Sequence, residues 1–319
     1  MKDFTEGMQT KIEQRYIRLS NCNHVTWKQT VQVSRNWILQ QRELNSILLE
    51  ANALEPTLDV ESWVATVIRS RGRLSWTHQT EHGLAILSWA ILNHIADSDG
   101  SNQVLIGLSG ESSLDQMILD INETFIKPVF EYLAEHVGET SSTLYALERY
   151  IRLIEWFDRE ELAKSFEADT GKGEEIYNKH MRRFLFTEGL EMPLSEVASP
   201  SGESDALSNL GTEDPLVCEL KLFDGIGRGR EHVASGLTQA LHYALDHGKT
   251  VAYLVIINLS GRPLDIPSDS GSKSSPPYLD IAGVRIFLII VRGIRTAAAS
   301  KIGKSDPVKW KREDLINGS

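Results

Sequence analysis

The sequence predicts an α+α/β protein, a helical first part followed by an α/β second part, and three observations predict it. From the start to about Phe166, apolar residues recur at three- and four-residue steps. At 167–175 the stretch "EADTGKGEE" interrupts the pattern with charge and glycine. Beyond it, helical segments alternate with short runs rich in Val, Ile, Leu and Phe. The domains expected are 1–166 and 167–319, and 319 residues suffice for two cores.

In the first part, "TEHGLAILSWAILNHIA" is apolar round most of its circumference, as in a helix buried within a bundle. "TLYALERYIRLIEWFDREELAKSF" places Leu144, Leu147, Ile151, Ile154 and Phe157 on one stripe, with Ser141 or Ser142 as N-cap. In the second part the order predicted is a helix at Gly173 to Phe186, a strand near Ser195, and strands at Asp205 to Leu210 and Leu216 to Phe223. A helix at Glu231 to His247 and strands "TVAYLVIINL" and "VRIFLIIVR" follow, the last two separated by a long loop of Ser, Gly and Pro.

Composition narrows the functional classes. With 41% hydrophobic and 24% charged residues the chain reads as globular, and a net charge of −11 argues against a general coat for nucleic acid. The first residues, "MKDFTEGMQTKIEQRY", lack an apolar signal core, and no run reaches the length of a membrane span. Cys22 and Cys218, the two cysteines, are far apart, and Cys218 falls in a strand expected to be buried. A cytoplasmic location is expected.

The strand Leu216 to Phe223 contains the chemical question. Glu219 and Lys221 interrupt it at a spacing of two, which puts both on one face. Asp205 opens the preceding strand, and a turn containing Gly211 and Pro215 joins the two, so a hairpin would bring the two carboxylates together. Asp205, Glu219 and the Leu220 carbonyl would form a hard oxygen site suited to Mg²⁺ or Mn²⁺, beside which Lys221 could act on a metal-acidified water. Without an ion, two such carboxylates are expected to repel each other.

This arrangement resembles the PD-(D/E)XK nuclease superfamily over roughly Gly173 to Arg292. The residues that carry the resemblance are "GESDAL" with Asp205, "CELKLFD" with Glu219 and Lys221, and "TQALHY" with Gln239 and Tyr243, the Q-x-x-x-Y element of the exonuclease-like branch. Ser204 stands where the family name has proline. The resemblance implies a mixed central sheet flanked by helices, metal binding by the Asp and Glu, catalysis by the Lys, and a further Glu from the preceding helix. It implies hydrolysis of phosphodiesters, more in keeping with DNA than RNA. A helical domain joined to such a nuclease is similar to bacterial defence or DNA-processing effectors, in which the first domain senses, binds a protein partner or restrains the nuclease. The alternative is a binding or scaffold protein that keeps the fold without turnover.

Glu174 and Glu175 both qualify as the helix glutamate. At 100° per residue, Glu174 lies at the edge of the stripe of Tyr177, Met181, Phe184 and Leu185, whereas Glu175 falls among Lys179 and Arg182, so Glu174 is preferred. On the second helix His232, Gly236, Gln239, Tyr243 and His247 form a polar stripe beside an apolar one. "DGIGRGREH" offers glycines, a helix start and Arg228 and Arg230 for a substrate phosphate. The tail from Arg292 to Arg312 is locally basic. His78 and His82 have the spacing of a helical zinc pair, but Gln79 replaces the glutamate that zinc hydrolysis needs.

Overall fold

The computed structural model describes residues 2–70, 76–99, 102–137, 143–188, 197–199, 202–204, 206–208, 216–269, 276–294 and 306–316. Contacts divide the chain into two compact units, Met1–Tyr145 and Ala146–Ser319. Residues 146–166 thus group with the second unit, ahead of the change of pattern at 166/167. The reason is visible in their side chains: the Tyr150 ring lies 5.4 Å from that of Phe184, and Asp158 lies 3.1 Å from His180 Nε2. No helix among the described residues is long and apolar enough to cross a membrane.

The first unit is built from helices α1 (Lys2–Ser20), α2 (Trp27–Gln40), α3 (Arg42–Leu54), α4 (Val60–Arg69), α5 (Glu81–Asp97), α6 (Asn102–Leu108), α7 (Leu114–Ile121) and α8 (Lys127–His136). Helix α5 is central because Ala85, Ile86, Leu87, Ile91, Leu92, Ile95 and Ala96 are all buried, so that α2, α3, α4 and α8 pack round it. Thr80 caps its start by accepting a hydrogen bond from Gly83 N–H at 3.0 Å.

Helix α9 (Thr143–Leu153) leads into the second unit through a π-turn at Ile154–Asp158, followed by α10 (Arg159–Ala168) and α11 (Gly173–Thr187). The π-turn corrects one expectation. The widened turn shifts the helical phase, so Ile154 is buried but Phe157 is 79% exposed instead of continuing the core stripe.

Strands β1 (Val197–Ser199) and β2 (Gly202–Ser204) form an antiparallel ribbon. The main sheet has five strands in the order β3 (Ala206–Ser208), β4 (Leu216–Phe223), β5 (Val251–Asn258), β8 (Val284–Arg292) and β7 (Tyr278–Ile281). It is mixed: β4, β5 and β8 run parallel, while β3 and β7 pair antiparallel at the two edges. Helix α12 (Arg230–Asp246) is the crossover between β4 and β5. A parallel pair, β6 (Leu264–Asp265) with β9 (Val308–Lys309), and the short α13 (Arg312–Ile316) complete the unit.

Helix α12 covers one face of the sheet, where Val233, Leu237, Ala240 and Tyr243 join Val217, Phe223, Leu254, Ile256, Ile286 and Leu288 in a single core. The opposite face of β4 meets α11, whose first residue Gly173 sits against Leu222. Strand β8 has the bounds expected of "VRIFLIIVR", and the chain enters it from β7 through a tight turn. That turn is made by Ala282 and Gly283, both in the left-handed region at φ 51° and 81°, which gives the β7–β8 hairpin.

Candidate functional site

Strand β4 is paired on both sides, to β3 and to β5, and every residue from Val217 to Phe223 is buried. Glu219 is 1% exposed and Lys221 7%. Their register partners are Leu254 and Ile256, which places both charges on the sheet face beneath α12. Ions this deep are stable only when paired, because desolvation costs several kcal/mol per ion.

The pairing is present. Lys221 Nζ lies 2.9 Å from Glu219 Oε1 and 3.9 Å from Glu174 Oε2. The ammonium thus stands between the carboxylates of Glu174 and Glu219, while the repulsion expected between Asp205 and Glu219 involves a residue outside the described ones. Helix α12 makes room for that ammonium's stem at Gly236. A Cβ there would collide with Lys221 Cγ and come within 3.1 Å of Cε and 3.2 Å of Leu254 Cδ1.

Glu174 comes from the first turn of α11, where the helix dipole favours a carboxylate. The helical phase separates it from its neighbour: Tyr177, Met181 and Leu185 are buried, Glu174 is half-buried at their edge, and Glu175 is exposed. The second Glu174 oxygen, Oε1, meets His232 Nε2 from the first turn of α12. Sequence reasoning placed His232 on a polar stripe of the kind a helix shows beside an active site, but gave it no role there. The partners are 58 residues apart, and only the meeting of two helix starts joins them.

Leu220 lies between Glu219 and Lys221 with Val255 as register partner, and its side chain is on the opposite face. Tyr243 is 1% exposed within the α12 core. Gln239 is half-buried, and its Oε1 has no hydrogen-bond partner among the described residues. Gln239 follows Gly236 by three residues, which puts it on the same side of α12 as the glycine that admits the Lys221 stem. Asp205 lies outside the described residues. Its neighbour Ala206 is in β3, paired with Cys218.

Arg228 and Arg230 are engaged within the chain. Arg228 Nη2 donates to the Thr170 carbonyl at 2.6 Å, and its Nη1 lies 3.6 Å from Asp224 Oδ2. Arg230 Nη1 donates to Asp314 Oδ2 at 3.0 Å and Nη2 to the Lys309 carbonyl at 2.7 Å. The glycine loop closes on its own anion, since Asp224 Oδ1 accepts from the N–H groups of Ile226 and Arg228, each at 2.8 Å. Burial alone would raise the Asp224 carboxyl, but these backbone hydrogen bonds and the nearby Arg228 charge hold it below its ordinary 3.8. In the tail, Arg292 pairs with Glu155 and Arg312 with Asp269, while Arg295, Lys301 and Lys304 lie outside the described residues.

In the helical unit, His82 Nδ1 lies 2.7 Å from the Tyr132 hydroxyl. A groove of about 770 Å³ between α1 and α8 is floored by Ile12, Phe130 and Val137 and rimmed by Glu13, Glu131 and Glu135. No family model, curated protein or solved structure matches the chain.

Proposed function

We propose that the chain is a metal-dependent nuclease of the PD-(D/E)XK type that hydrolyses phosphodiester bonds in DNA with Mg²⁺ or Mn²⁺. The observation that carries this reading is the convergence of Glu174 and Glu219 on a buried Lys221, on a strand of the mixed sheet that is paired on both sides. The placement of the two carboxylates about one positive centre fits a divalent ion that takes oxygen ligands and retains waters. Among the described residues no group of three His, Cys, Asp or Glu is arranged to hold an ion. The third ligand of this reading, Asp205, lies outside them.

Glu174, Glu219, Asp205 and the Leu220 carbonyl would hold the ion, which would supply a more acidic water and neutralise phosphate charge. Lys221, fixed by Glu219, would orient the attacking water and stabilise charge growing on the phosphoryl oxygens. Gln239 would offer its amide from the side of α12 that carries Gly236, and buried Tyr243 would hold the helix in place.

A second reading, a binding or scaffold protein with this fold, is favoured by the internal engagement of Arg228 and Arg230. Calorimetric titration with Mn²⁺ separates the two. The nuclease reading expects wild-type binding, weakened at least about tenfold in Glu174→Gln and unchanged in Glu175→Gln. Absence of Mn²⁺ binding by the wild type would leave the scaffold reading.

A further inference from the structure

We infer that His232 is a positioning residue for the metal centre: by holding Oε1 of Glu174 it directs Oε2 at the Lys221–Glu219 pair. The inference rests on the nuclease reading above and names a residue outside the motifs that suggested it.

An ionised carboxylate only accepts hydrogen bonds, so the proton in the His232–Glu174 contact belongs to Nε2 of the imidazole. With Oε1 occupied in this way, Oε2 is the oxygen that faces Lys221 Nζ at 3.9 Å. Glu174 therefore offers the ion one oxygen, in one orientation. The side chains of Glu174 and His232 are 30% and 31% exposed, so packing alone leaves the carboxylate room to turn and the imidazole contact restrains it. Four residues along α12, one helical turn, Gly236 admits the Lys221 stem. The same helix face thus sets the position of the lysine and the direction of the glutamate.

Without the imidazole, Glu174 is free to rotate and to close both oxygens on the ammonium, which withdraws it from an incoming ion. Loss of a residue that orients a metal-ligating carboxylate weakens metal binding by about 10–100-fold. Restoring an N–H donor should reverse most of that loss.

The test is Mn²⁺ titration of the whole chain by calorimetry, with metal-free melting temperature and nitrogen hyperfine coupling to bound Mn²⁺ as further readouts. His232→Ala is expected to weaken Mn²⁺ about 10–100-fold without lowering the metal-free melting temperature. His232→Gln is expected to bind within roughly threefold of wild type, since it keeps a donor. Wild-type Mn²⁺ should show no coupling to a directly bound imidazole nitrogen. Unchanged affinity in His232→Ala, no recovery in His232→Gln, or a bound nitrogen would overturn the positioning role while leaving the metal centre standing. A wild-type chain that binds no Mn²⁺ would overturn both, and so identifies the failure of the underlying reading.

Discussion

Replacing Glu219 by Gln removes the nearer of two carboxylates beside the buried Lys221 ammonium and leaves Glu174, at 3.9 Å, as the more distant one. Breaking a buried pair in this way costs about 3 kcal/mol or more, so thermal unfolding of the metal-free Glu219→Gln variant should begin well below that of wild type. The Glu219→Leu/Lys221→Met pair should recover most of the loss, because neither charge then remains to be desolvated. Equal melting of wild type and Glu219→Gln would mean that the pair contributes no stability. At this scale the placement of Glu219, Lys221 and Glu174 was legible, while Asp205 lies outside the described residues. Charges two apart on an apolar strand must share a face, and the 100° step of a helix separated Glu174 from Glu175. His232 was not legible as Glu174's partner because nothing local to either residue specifies which two helix starts meet.

Among the elements, the boundaries of β4 and β8 follow from their apolar runs ended by charge or glycine, and α11 and α12 lie within one residue of expectation. The β7–β8 hairpin was hidden because its turn has Ala282 at φ 51°, a position where Asn or Gly gives the usual signal. Phe157 was misplaced because a π-turn has no periodicity that distinguishes it in sequence. The loop after β4 was read as a place for phosphate, yet its N–H groups point to Asp224. That closure has a pH signature. A carboxyl held below 3.8 in the folded chain adds stability that is complete above its unfolded value and is lost as pH falls through the lower folded one. Denaturant unfolding should therefore show Asp224→Ala less stable than wild type by about 1 kcal/mol near neutrality, with the gap closing below about pH 4. A gap independent of pH would remove the carboxylate from loop closure.

For the molecule as a whole, the order of a helical unit followed by a unit with a mixed sheet was legible from the change in periodicity alone. The exact division was not, because α9 and α10 have the pattern of the first unit but side chains that pack in the second. The net charge of −11 implies that DNA, if it is the substrate, is held by a few local cations and not by the surface at large. Of those cations, Arg228, Arg230, Arg292 and Arg312 are already matched to acceptors in the chain. Such binding should be weak and short-lived, so turnover reports on the site more directly than affinity does. The central claim is best tested by following cleavage of DNA by the whole chain in Mg²⁺ or Mn²⁺, beside Lys221→Met, which keeps the stem beneath Gly236 but loses the ammonium. The account predicts cleavage that stops on chelation and is slower by about 10²–10⁴-fold in a variant whose circular dichroism matches wild type. No cleavage by the wild type, cleavage that survives chelation, or an undiminished rate in Lys221→Met would contradict it.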